Sequence, residues 1–195
     1  GAAVCTQSGT TSELNLSDYF RIYDMTYDAV VFDSPEQSIA GFEAGRCDVL
    51  SSDASQLYAQ RIQLADPNMA VVLPEIISKE PLGPAVRQGD DQWFNIVKWS
   101  LFAMLNAEEL GVSQANVDEQ LSSENPDVMR LLGQDGDFGE AMGLQSDWAY
   151  QIVKQVGNYA DIYDRNVGAD SDFNIARGLN ALWKDGGIQY VPPIR

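Results

Sequence analysis

Apolar positions in the first part of the chain fall into short β-type runs that alternate with helical spacings. Residues 2–7 (AAVCTQ) predict a short buried strand. Ser8-Gly9 turns the chain, and Thr10 or Thr11 caps a helix running to about Tyr23. Leu14, Leu16, Tyr19, Phe20 and Tyr23 recur on one face of that helix. Residues 27–32 (YDAVVF) predict the next strand. Ser34-Pro35-Glu36 opens a helix through Ala44, with proline in the first turn and Gly45 just past the end. Residues 47–51 (CDVLS) predict a third strand. Ser52-Asp53-Ala54-Ser55 then caps a helix to about Leu64, and residues 70–73 (AVVL) predict a fourth strand. This alternation predicts an α/β unit with a parallel sheet and right-handed crossovers. Ligands of such sheets sit at the carboxyl ends of the strands. Gln7–Thr11 and Ser51–Asp53 both fall there, and they share one crevice if the first and third strands are neighbours.

The pattern changes after Glu75. Residues 76–91 carry prolines and glycines around one short extended piece, Gly83–Arg87. Asp90-Asp91 caps a long amphipathic helix from Gln92 to about Leu110, closed by Gly111. Short helical pieces follow through 112–147. One helix is expected over 147–166, with Trp148, Ile152, Val156, Tyr159 and Tyr163 on one face, and another over 174–184. The proline-containing tail, 191–195, cannot continue a helix. This half has too few strands for a sheet of its own. Its apolar helix faces therefore predict exposed apolar surface, with self-association or strand exchange as the consequence.

Composition narrows the function classes. The 195 residues carry 29 Asp plus Glu against 12 Lys plus Arg, a net charge of −17. A phosphate backbone and an anionic lipid surface are both repelled, so nucleic acid is not an expected partner. The chain has no histidine, which removes Ser-His-Asp and Cys-His nucleophiles and every imidazole zinc site. Its two cysteines cannot supply a four-thiolate zinc site. No cofactor or metal is expected. The acidic stretches near Asp118-Glu119 and Asp135–Asp137 lack EF-hand spacing and read as solvated loops. No apolar run approaches the roughly 20 residues that span a bilayer. Residue 1 already lies in a strand-like segment, so a leader has been removed or the chain is a fragment.

Two loops carry the candidate chemistry. A helix start with a preceding glycine presents free N–H groups and a positive dipole end to an anion. Ser8, Thr10 and Thr11 add hydroxyls there, although simple helix capping needs only one of them. No lysine follows Gly9, so this is not a P-loop, and G-x-G-x-x-G is missing. A carboxylate fits the cradle better than a triphosphate. Asp53 is either an N-cap or a carboxylate aimed at an ammonium. Together the two loops match the two ends of an α-amino-acid zwitterion. Cys5 and Cys47 lie on the first and third strands; they are either two buried thiols or a disulfide worth about 4 kcal/mol in the chain-entropy model. A disulfide implies a home outside the cytosol.

The stretches VCTQSGTTSELNLSDYF, GRCDVLSSDASQLYAQR, VVLPEIISKEPLGPAVRQGDDQWFNIVKWSLFAMLNAEELG and GLNALWKDGGIQYVPPIR resemble the periplasmic general L-amino-acid-binding proteins of ABC importers. The resemblance covers essentially the whole chain. It implies a type-2 periplasmic binding fold whose two lobes close on an amino acid by hinge motion. Residues 1–80 then correspond to the α/β ligand-binding lobe two, with its parallel sheet. Residues 81–195 correspond to a mainly helical C-terminal segment returning to an incomplete lobe one. The resemblance assigns the ligand carboxylate to Thr11, with Thr10 and Ser8 beside it, and the ammonium to Asp53. A cysteine pair at Cys5 and Cys47 also fits it. Partners implied are an L-amino acid and the membrane permease subunits of the importer, in the periplasm, without catalysis.

The family's lobe-one residues, including an arginine clamp on the carboxylate, have no match here, and Arg87 and Arg195 do not take that role. The chain therefore reads as N-terminally truncated. A competing class is an enzyme of the dehydratase type on a related fold, acting on a small carboxylic acid with Asp53 or Glu75 as base. A ligand-sensing receptor domain is a third reading.

Overall fold

A three-stranded parallel sheet organises the first part of the chain, in the order β2-β1-β3. The central strand β1 spans Ala3–Gln7, β2 spans Asp28–Phe32 and β3 spans Val49–Leu50. Cys5 is in register with Val30 on one side and Leu50 on the other. Helices α1 (Thr11–Ile22), α2 (Pro35–Glu43) and α3 (Ala54–Arg61) follow the three strands in turn. This computed structural model describes all residues, Gly1–Arg195. The chain divides into two units, Gly1–Leu82 and Gly83–Arg195.

In the first unit, Cys5, Phe32 and Cys47 form a small buried cluster, packed with Val30, Phe42 and Leu50. Gly41 lets α2 lie on the Phe32 ring: a methyl there would overlap the ring. Cys5 and Cys47 form a disulfide with Cα atoms 5.6 Å apart, which ties β1 to the segment entering β3.

The expected fourth strand is not formed. Ala70 has extended backbone (φ −128°, ψ 147°), but no strand pairs with residues 70–73. Val71 and Leu73 are 73% and 59% exposed. An extended run with no strand beside it has no ladder to join, so it stays irregular.

The second unit is helical. It holds α4 (Asp91–Glu109), α5 (Val117–Gln120), α6 (Pro126–Leu131), α7 (Trp148–Val156) and α8 (Tyr159–Asn166). Asp90 caps α4 by accepting from the Trp93 N–H at 3.0 Å. Ala103, Ala107, Val112, Leu131, Trp148 and Val153 meet in its core. The single helix expected over 147–166 is two. Gly157 (φ 90°) stops α7, and Asn158 with Asp161 forms a capping box that starts α8. The helix expected over 174–184 is reduced to two 3₁₀ turns, Gly178–Asn180 and Trp183–Asp185. There the backbone bonds across the loop instead, Trp183 N–H to Gln189 O (3.0 Å) and Gln189 N–H to Ala181 O (3.2 Å). No helix is long and apolar enough to cross a membrane.

One ionic cluster pins this terminal segment. Arg177 lies against the rings of Tyr159 and Tyr163, 5.2 and 5.1 Å from their centroids. Its Nη2 donates to both Glu108 oxygens, at 2.9 and 3.1 Å, and to Asn180 O at 3.0 Å. Burial raises the Glu108 carboxyl above its usual range, against the opposing pull of Arg177. The folded state thus holds the Glu108 proton more tightly than the unfolded chain does. Its contribution is full below the unfolded pKa and is lost as pH rises through the raised folded one. Relative to the wild type, Glu108→Gln should therefore gain in unfolding free energy as pH rises from about 4 to about 7, by urea denaturation. A difference that stays flat across that range contradicts this assignment.

Candidate functional site

The loops leaving β1 and β3 end side by side because those strands are hydrogen-bonded neighbours. They line one cavity of about 310 Å³. The first loop and the start of α1 contribute Gln7, Thr10, Thr11 and Ser12. The second loop and the start of α3 contribute Ser51, Ser52, Asp53 and Gln56. Every lining residue is polar, and Asp53 is the one charged group among them.

Thr10, Thr11 and Asp53 therefore line the same cavity, while Ser8 does not. The Ser8 N–H donates to Phe32 O at 2.8 Å, and its hydroxyl faces Asp33 Oδ1 at 3.5 Å. Gly9 adopts φ 69°, a conformation that favours glycine. Its N–H is taken by Glu13 Oε2 at 2.8 Å, so the chain's own carboxylate occupies one donor of the turn.

The two threonines divide the work. Thr10 Oγ1 accepts from the Glu13 N–H (3.2 Å) and donates to Gln7 O (2.8 Å). It is the cap of α1. Thr11, the first residue of the helix, makes no side-chain hydrogen bond within the fold. Its hydroxyl and the helix start are left to the cavity, where the dipole favours an anion.

Asp53 is placed as an N-cap residue, but its side chain makes no capping hydrogen bond. The carboxylate is not engaged by any cation of the chain either. A free carboxylate on one wall and a free hydroxyl at a helix start on the other share one concavity, and their chemistry suits a cation and an anion respectively.

Gln7, Ser51 and Ser52 belong to the two loops that the residue pattern places at the strand ends, without a role of their own, whereas Ser12 and Gln56 are not singled out by it. Position carried the available signal. Gln7 is the last residue of β1, and Gln56 lies three residues after Asp53, on the same face of the first turn of α3. Ser52 Oγ donates to Gln56 Oε1 at 2.7 Å. Glu75, the other candidate base of an enzyme reading, is exposed in an irregular segment and does not line the cavity.

No family model matches the chain. Curated relatives match it along its whole length. It is 57% identical over 197 residues to the general L-amino acid-binding periplasmic protein AapJ of Rhizobium johnstonii. It is 46% identical over 196 residues to the glutamate/glutamine/aspartate/asparagine-binding protein BztA of Rhodobacter capsulatus. In each case the match covers 100% of this chain and 58% of the relative, so the chain spans somewhat more than half of their length. Among solved structures, the fold matches an ABC transporter/periplasmic binding protein from Brucella ovis with glutathione bound. That match has 52% identity and a TM-score of 0.92, and covers 100% of this chain and 61% of the other. The α/β architecture with its parallel sheet is thus that of part of a periplasmic binding protein.

Proposed function

We propose that this chain, a relative of amino-acid ABC transporter-binding proteins over its full length, carries the face of such a protein that reads the α-amino-acid head group. Thr11 receives the ligand carboxylate and Asp53 its ammonium, with Thr10 holding the α1 terminus between them. Ser8 supports that turn from outside the cavity. The chain captures L-amino acids without catalysis, outside the cytoplasm, for delivery to membrane permease subunits. In lobe terms, residues 1–80 serve as the ligand-binding lobe two and residues 81–195 as the helical return to lobe one.

The observation that carries this reading is the pair of unengaged groups, Thr11 Oγ1 and the Asp53 carboxylate, in one polar cavity. The relatives' names support it. They differ in the side chains they mention, and glutathione is a peptide, yet each ligand has an α-amino-acid head; in glutathione it is on the γ-glutamyl residue. A half-site specific for the head is what such a range requires. The disulfide supports an oxidising compartment.

Titrating the 195-residue chain with L-amino acids tests the reading. Amide signals of Thr11 and Asp53 should move, with a dissociation constant on the order of 1 mM, because half of the usual contacts give only a few kcal/mol. Micromolar affinity in calorimetry contradicts the half-site assignment, and silence at both residues contradicts ligand capture. The second unit also exposes Trp93, Phe94, Trp183, Ile188 and Tyr190. This surface supports self-association of the chain, which light scattering reads directly; a monomer at all concentrations overturns that part.

A further inference from the structure

Resting on the head-group reading above, we propose that Gln56, oriented by Ser52, is the residue through which this site reads the ligand's side chain, and that it favours a neutral carboxamide over a carboxylate. Gln56 lies on the first turn of α3, three residues after Asp53, so both side chains face the same cavity. The Ser52 hydroxyl donates to Gln56 Oε1 at 2.7 Å. That bond fixes which end of the amide is spoken for. The Gln56 Nε2 group, with two N–H donors, makes no hydrogen bond within the fold. It is an oriented donor waiting for an oxygen.

The wall behind it carries several polar side chains together with Leu50 and Pro35. A recess of about 10 Å³, roughly one water in size, adjoins the cavity and shares Gln7, Ser51, Ser52 and Gln56 with it. Gln60, one turn further along α3, closes the recess at 6% exposure. Its Oε1 accepts from no protein group. A polar atom left unpaired at that depth is costly. An apolar ligand side chain leaves the Gln56 donor unpaired, whereas a side-chain carbonyl meets it.

Charge decides between carbonyl and carboxylate. The cavity is lined by one carboxylate, Asp53, and no cation. With the ligand ammonium on Asp53 and its α-carboxylate at Thr11, a side-chain carboxylate adds an uncompensated negative charge, in a chain of net charge −17. A carboxamide offers the same oxygen without that charge.

Nuclear magnetic resonance titration of the complete 195-residue chain with L-glutamine, L-glutamate and glycine separates the outcomes. For wild type, L-glutamine is expected to bind about five- to tenfold tighter than either other probe, the range of one neutral hydrogen bond. The side-chain amide pair of Gln56 should shift with L-glutamine and not with glycine. Gln56→Leu should collapse the glutamine-to-glycine ratio to about one. Ser52→Ala should reduce the ratio partway, and Ser52→Thr, which keeps the hydroxyl, should restore it. A ratio unchanged in Gln56→Leu, or L-glutamate binding tighter than L-glutamine, overturns this inference while leaving head-group capture intact. Silence of Thr11 and Asp53 with all three probes overturns head-group capture itself, and this inference with it.

Discussion

Asp53→Ala is expected to weaken amino-acid binding at least about thirtyfold while leaving the fold almost as stable as before. Removing one partner of a charge-assisted pair costs about 2 kcal/mol or more, and each 1.4 kcal/mol is a factor of ten. The stability half of the prediction follows from the cap geometry. An aspartate that caps a helix loses about 1 kcal/mol when cut to alanine. Asp53 makes no such bond, since no helix N–H reaches its side chain. Its loss should therefore change the unfolding free energy by less than about 0.5 kcal/mol, the usual size for a surface change that removes no specific interaction. Thr10→Ala provides the contrast: its hydroxyl does cap α1, accepting from the Glu13 N–H, so stability should fall by about 1 kcal/mol. Amide shifts under L-glutamine titration read the first quantity and urea denaturation reads the second. An Asp53→Ala chain that binds like wild type, or that loses a full cap's worth of stability, returns Asp53 to the capping role.

That contrast also marks where the sequence stops being legible. An aspartate between a strand and a helix serves equally as cap or as ligand group, and the same holds for Thr10 against Thr11. The residue types are identical in both roles; only the direction of the side chain separates them. The alternation of β-rich runs and helices is readable through residue 61, because Gly45, Pro35, the Thr10 and Ser34 caps and Asp53 at the head of α3 punctuate it locally. Residues 70–73 have the same β-rich character but no strand beside them, and strand formation is a pairing event rather than a local one. In 147–166 the apolar spacing runs unbroken through Gly157, which masks the Asn158–Asp161 capping box that divides the helix. The Gln56 donor was hidden for a different reason. Its orientation comes from a hydrogen bond to Ser52, which spacing alone does not announce.

Eliminating the Cys5–Cys47 bond is expected to destabilise the first unit by about 4 kcal/mol, from the 42-residue separation of the two cysteines and the entropy that closure removes from the unfolded chain. The effect should be felt chiefly there, because beyond Phe32 that unit buries few other apolar side chains, Val4, Leu16 and Leu64. Its buried cluster consists of the two cysteines and Phe32, and β3 is only two residues long. Both half-cystines are nearly inaccessible, at 0% and 5% exposure, so reduction should wait on unfolding rather than precede it. Urea denaturation of a Cys5→Ala/Cys47→Ala chain against the oxidised wild type measures the difference; a loss below about 1 kcal/mol contradicts it. Binding should fall with stability. Gln7 lies two residues beyond Cys5 on β1, and the Ser51–Asp53 loop leaves the strand that Cys47 introduces. The disulfide therefore holds together the two strands whose ends present Thr11 and Asp53. Without it, the proposed anion and ammonium sites lose the fixed separation that one rigid zwitterion needs, and an alanine pair that still folds should bind amino acids more weakly than wild type.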